Sequence, residues 1–153
     1  MPGSKQPTKA TSRSGATPTS EDLSWLPVRD GEEPWTPAEL VSVHDELIAE
    51  RDRLKEDLAE SEEDLAGLMR DFGDGSGDDS ADTGGKVLER EQELTLTQNS
   101  RMLLAQTERA LGRLDDHTYG ACEACGGAIG KARALAFPRA TLCVACKQKQ
   151  ERR

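Results

Sequence analysis

Cys122-Glu123-Ala124-Cys125 is followed by seventeen residues and then by Cys143-Val144-Ala145-Cys146, and these four are all the cysteines in the chain. Two Cys-x-x-Cys pairs at this separation form a four-thiolate zinc site. Each Cys-x-x-Cys turn lets two sulfurs reach one ion, and the segment between them folds back to complete a tetrahedron. Gly126 and Gly127, directly after the first pair, fit a tight knuckle with positive φ. A catalytic zinc keeps one coordination position open, whereas four cysteines close the shell, so the expected Zn²⁺, one per chain, is structural. Two disulfides would need an oxidising compartment, and Met1–Ser20 lacks the apolar segment of a secretory signal. A redox Cys-x-x-Cys belongs in a βαβ pattern, which is absent. Reduced cysteines without an export signal lead to a cytoplasmic expectation. Four thiolates around Zn²⁺ leave a local charge of about −2, which Lys131, Arg133, Arg139 and Lys147 are placed in sequence to offset.

Working outward, the composition leaves little for a large core. Of 153 residues, 35% are hydrophobic, 3% aromatic and 32% charged, and the mean hydropathy is −0.70. Such a chain suits small zinc folds and long paired helices, which need little interior. No run of eighteen apolar residues occurs, so no membrane association is expected. The net charge of −9 conceals an asymmetry. Residues 37–82 carry sixteen Asp/Glu against four Lys/Arg, and residues 122–153 carry seven Lys/Arg against two Asp/Glu. An acidic front is unlike a general DNA binder, which is basic over most of its surface. It suits a basic protein surface or a metal-containing site as partner.

The acidic part has the signals of a long helix. Thr36-Pro37-Ala38-Glu39 supplies an N-cap, Pro at the first helical position and Glu at the third, with Trp35 and Leu40 placed as a hydrophobic staple. One seam position runs Leu40, Leu47, Leu54, Ser61, Leu68, and the other His44, Arg51, Leu58, Leu65, Phe72. Seven of these ten are apolar, the pattern of a coiled-coil strand with a loose beginning. His44 reads as a partly exposed seam residue, since no companion ligands lie nearby. Residues 71–85 hold five Gly and five Asp and read as a turn. They do not fit a calcium loop: counted from Asp74 or from Asp71, neither the required Gly nor the terminal Glu falls in place. A second helix is expected from about Gly85 to Leu114, with Leu96, Leu103, Leu104, Leu111 and Leu114 on its apolar face. Two long helices joined by a tight loop pair antiparallel, which puts the acidic loop at the far tip of an arm.

The expected organisation is a disordered tail over 1–24, a linker or docking segment over 25–36 and a coiled-coil hairpin over 37–116 with its tip at 71–85. A four-cysteine zinc finger with a short terminal helix then fills 117–153. The fold class is mainly α. Trp25 and Trp35 are expected to pack on the helix that follows, and His117 to order the linker before the finger. No nucleophile–base pair, phosphate loop or open metal site is present, so an enzyme is not expected.

Tyr119-Gly120-x-Cys122-x-x-Cys125-Gly126-x-x-Ile129-x-x-x-Arg133-x-x-Ala136-x-Pro138-x-Ala140-x-x-Cys143-x-x-Cys146 resembles the signature of the DksA/TraR C4-type zinc finger family. Asp78 through Lys86-Val87-Leu88-Glu89-Arg90-Glu91 is similar to that family's tip and second coiled-coil helix. The resemblance implies a transcription regulator that binds RNA polymerase directly, without sequence-specific DNA binding. It inserts an Asp-tipped coiled coil into the secondary channel to modulate initiation, often with guanosine tetraphosphate at the polymerase interface. It also implies that Asp79 and Asp82 are the tip residues near the active centre. Gly84 stands where the family has Ala, which loosens the turn. Lys147, Lys149 and Arg139 are candidates for the nucleotide by charge alone. Two other readings stay open on the residues. One is a zinc-ribbon nucleic-acid binder acting through Lys147, Lys149, Arg152 and Arg153; the other is a coiled-coil adaptor that self-associates through its seam.

Overall fold

A computed structural model describes residues 23–73 and 80–152, with backbone alone for 72, 73 and 80–83. Among the described residues four helices follow in order: α1 (Pro37–Gly73), α2 (Ser80–Asp115), α3 (Lys131–Ala136) and α4 (Val144–Glu151). The β-structure among the described residues is one isolated antiparallel bridge, Ala121 to Ala128.

The capping box starts α1. Glu39 donates its backbone N–H to Thr36 Oγ1 at 3.2 Å, and the Glu39 carboxylate accepts the Thr36 N–H at 2.9 Å. At 1.5 Å per residue the 37 residues of α1 span about 55 Å. α1 and α2 form an antiparallel hairpin whose register is marked by two ion pairs. Lys55 meets Glu108 at 3.7 Å, and seven residues further along α1, Glu62 meets Arg101 at 2.8 Å, seven residues back along α2. α2 begins at Ser80, five residues before the expected Gly85. A Cβ at Gly84 or Gly85 would meet nothing within 4 Å among the described residues, and both lie exposed within helix. Glycine's backbone cost of about 1 kcal/mol per residue is overridden here by continuation from the helix beyond. Of the expected 71–85 turn, residues 71–73 belong to α1 and 80–85 to α2, while residues 74–79 and the tail before Leu23 lie outside the described residues.

The seam is filled unevenly. Near the finger, Leu40, Val43 and Leu47 of α1 are buried in one cluster with Ala110 and Leu114 of α2, and Leu54 is buried further along α1. Val43 rather than His44 takes the fully inward position, and His44, expected as a partly exposed seam residue, is half-buried beside it, as is Arg51. The substitution is physical: spacings of three and four keep one stripe inside, and the apolar neighbour wins that place. Farther out, Leu58, Leu65, Leu68 and Leu94 are only half-buried, while Met69, Leu88, Leu96 and Met102 are exposed. The α2 side of the seam contains buried Thr97 and Thr107. Thr107 returns its hydroxyl to Leu103 O at 2.8 Å; Thr97 Oγ1 is buried with no partner among the described residues.

Residues 23–36 form a strap across the hairpin base. Leu26 and Trp35 are buried in one cluster with Leu40, Val43, Leu47, Ala110, Leu114, Tyr119 and Ala134. The core of this protein therefore lies at a three-way junction of strap, hairpin and finger.

Candidate metal centre and the junction that carries it

α2 ends through a left-handed residue. His117 has φ 59, and Thr118 and Tyr119 both send their N–H groups back to Arg113 O. A non-glycine residue in this region is uncommon. Here the imidazole stacks on Trp25 at 4.6 Å between centroids and 10° between planes, so His117 orders the linker. Tyr119 then turns inward. Its ring is buried, its hydroxyl donates to Pro138 O at 2.8 Å, and burial holds the phenol well above its ordinary pKa. Arg113 of α2 donates to Thr118 O and to Ala121 O.

The first knuckle closes next. Cys122 N–H donates to Gly127 O at 2.7 Å and Gly126 N–H to Cys122 O at 2.9 Å. Gly126 has φ 75, as the sequence requires, whereas Gly127 does not need positive φ. Glu123 N–H donates to Thr141 O, pinning the first knuckle to the strand of chain that leads into the second. Cys143 is the N-cap residue of α4, and Cys146 lies in its first turn. That geometry points both sulfurs of the second pair to one side.

The result is four cysteine sulfurs that all lie within 4.8 Å of one another. Cys125 and Cys143 Sγ are 3.9 Å apart. A tetrahedron with Zn–S bonds of 2.3 Å has edges of about 3.8 Å, so the spacing fits one zinc. Protonation favours a cation too. Burial acts to raise the Cys122 thiol, but the backbone N–H groups of Cys125, Cys143 and Ala124 outweigh it and bring the thiol to about 6. Cys146, crowded by Cys143 and Cys122, is pushed up to about 12. Four sulfurs this close do not all ionise by themselves; a divalent ion removes that conflict.

Three of the four expected counter-charges engage elsewhere; the fourth, Arg139, has a buried guanidinium nitrogen with no hydrogen-bond partner among the described residues. Lys131 Nζ reaches Glu39 at 3.1 Å and Pro34 O at 3.3 Å. Arg133 donates to Leu142 O and lies over the Phe137 ring. Lys147 meets Glu151 one helical turn on. Of the expected tip pair, Asp82 falls within α2 by its backbone, and Asp79 lies outside the described residues. Sequence reasoning missed Glu32, whose carboxylate accepts the N–H groups of Lys131 and Ala132, both at 3.0 Å. No local pattern around Glu32 announces a contact a hundred residues away.

Arm and finger together are an acidic helical hairpin ending in a four-cysteine finger. The prokaryotic dksA/traR C4-type zinc finger matches residues 117–152. The RNA polymerase-binding transcription factor DksA of Caulobacter vibrioides is 35% identical over 99 residues, 65% of this chain and 68% of that one. Its namesake in Escherichia coli K12 is 30% identical over 119 residues, 78% of this chain and 76% of that one. The structure of transcription factor DksA2 from Pseudomonas aeruginosa superposes with a TM-score of 0.61 at 31% identity. It covers 75% of this chain and 84% of that one. The chain belongs to the DksA/TraR zinc finger family and has one structural zinc.

Proposed function

We propose that this chain regulates transcription by binding RNA polymerase directly, with Cys122, Cys125, Cys143 and Cys146 as the ligands of its zinc. The observation that carries this is the extent of the likeness. Relatives named RNA polymerase-binding transcription factors align over 99 and 119 residues, far beyond the finger, and so share the arm as well. The finer reading is insertion of the arm, residues 37–116, into the secondary channel, with Asp79 and Asp82 approaching the active centre. The charge layout supports it: a thin acidic arm suits a channel with basic walls and a Mg²⁺ ion at its end. The work is cytoplasmic in this reading, and no helix among the described residues is long and apolar enough to cross a membrane. Guanosine tetraphosphate is the co-effector to test, with Lys147, Lys149 and Arg139 as candidate contacts.

The test is capture of core RNA polymerase by zinc-loaded protein, in competition with a known secondary-channel binder. Competed binding is expected. Replacing both Asp79 and Asp82 by Asn is expected to remove the effect on initiation while leaving capture largely intact. Capture without competition would move the interaction off the channel, and an undiminished effect of the Asn variant would reject the tip mechanism.

A further inference from the structure

The zinc site holds the finger together, but it does not hold the finger to the arm. That second task is divided between α2 and the strap. On the α2 side, Glu123 lies 3.7 Å from Arg109 and 3.8 Å from Arg113. On the other side the strap reaches the start of α3. Glu32 accepts the N–H of Lys131 on Oε1 and of Ala132 on Oε2, both at 3.0 Å, and its Oε1 also accepts the Arg29 N–H at 2.9 Å. The same carboxylate therefore closes the strap on itself and fastens it to the finger. Lys131 adds its ammonium to Glu39 at the first turn of α1.

The finger is shaped to receive this strap. Gly130 has φ 109, and a Cβ there would stand 3.0 Å from Arg29 Cδ and 3.5 Å from Glu32 Oε1. Gly120 has φ 84, and a Cβ there would stand 3.3 Å from Pro27 Cδ. Two backbone positions of the finger thus leave room for the strap where a larger residue would obstruct it.

We propose that the strap is the angle-setting element between finger and arm, and that Glu32 is its positioning residue. The leverage is large. With an arm of about 55 Å, a rotation of about 10° at the base moves the far end by about 10 Å, more than a charged tip can tolerate at a reacting centre. A finger held by a partner then delivers the tip to one place only while Glu32 is engaged. The positional claim stands on the free protein; its consequence for initiation rests on the polymerase reading above.

The experiment uses full-length, zinc-loaded protein, as wild type, Glu32→Ala and Glu32→Gln. Residual dipolar couplings of backbone amides report the orientation of finger and arm separately. The wild type is expected to fit one alignment tensor. Glu32→Ala is expected to need two, with zinc content and hairpin helicity unchanged, and Glu32→Gln, which keeps one acceptor oxygen, to fall between them. In initiation assays Glu32→Ala should lose more than about tenfold of its effect while polymerase capture changes less than about threefold. If Glu32→Ala fails to fold, Glu32→Gln and Lys131→Ala carry the test. One shared tensor in every folded variant overturns the proposal, whatever the polymerase assay gives. Two tensors with no polymerase capture by the wild type would uphold the strap and reject the polymerase reading.

Discussion

The indole of Trp35 meets the ring of Tyr119 edge to face, with centroids 6.4 Å apart and planes at 76°. One residue lies two positions before α1 and the other enters the finger, 84 positions later in the chain. Edge-to-face pairs contribute about 0.5–1.5 kcal/mol beyond the area they bury. This contact therefore joins the two ends of the fold at a point where both side chains are already buried.

Tyr119→Phe keeps the ring and removes the hydroxyl that donates to Pro138 O. A loss of about 1 kcal/mol is expected, from the broken bond and the partly buried carbonyl left behind. Tyr119→Ala removes the ring as well and should cost about 3–5 kcal/mol. Urea unfolding followed through the helical signal measures both. Equal losses for the two variants would show that the ring contributes nothing at the junction.

The unevenly filled seam predicts a gradient. Leu47 is 1% exposed at the base, and Leu47→Ala should cost about 2–5 kcal/mol. Leu65→Ala, at a half-buried distal position, should cost clearly less. Amide exchange should run the same way, with the distal turns opening at lower free energy than the turns around Leu47. Uniform protection along α1 would contradict this.

The two buried threonines of α2 are expected to behave differently. Thr97 Oγ1 has no partner among the described residues, so Thr97→Val, nearly the same shape, should stabilise the protein by roughly 1 kcal/mol. Thr107 Oγ1 is bonded to Leu103 O, so Thr107→Val should be close to neutral. A shift in melting temperature for Thr107→Val as large as that for Thr97→Val would reject the distinction.

Chelation of zinc should unfold the finger, because it has few buried side chains of its own and metal binding is its folding free energy, about 10–16 kcal/mol in zinc-finger peptides. Exchange protection over residues 119–150 should be lost. The turns of the hairpin beyond Leu54 should keep their protection relative to one another. Cys122→Ser should give the same pattern. Finger amides that stay protected after complete metal removal would show a core that Ile129 and Ala134 maintain without the ion.

Acid acts on the strap with a definite sign. The Glu32 carboxyl is held below its ordinary value of 4.5, first by the Ala132 N–H and then by those of Arg29 and Lys131. Glu39 is lowered as well, first by the Thr36 N–H and then by Lys131. Below 4.5 the unfolded chain binds more protons than the folded one, so this stabilisation is complete above 4.5 and disappears as pH falls through the depressed folded values. Glu32→Gln lacks its share. The stability difference between wild type and Glu32→Gln should be constant above pH 4.5 and narrow below it, and comparing the two cancels the common loss of zinc in acid. A difference that widened on acidification would reverse the assignment.

Much of this protein was determined by sequence alone because the signals are local. Four cysteines at ligand spacing dictate a zinc knuckle wherever the chain places it, and Thr36-Pro37-Ala38-Glu39 starts a helix by its own hydrogen bonds. Leucines at seven-residue spacing specify a paired arm. Other features depend on residues far apart in the chain, and only the tertiary structure decided them. Val43 in place of His44 on the seam, the helical start at Ser80 through two glycines, and the diversion of Lys131 from the thiolates to Glu39 all follow from what packs alongside. Glu32 is the clearest case: an acidic residue in a polar linker carries no pattern, and its role exists only because folding brings the first turn of α3 within 3.0 Å of it.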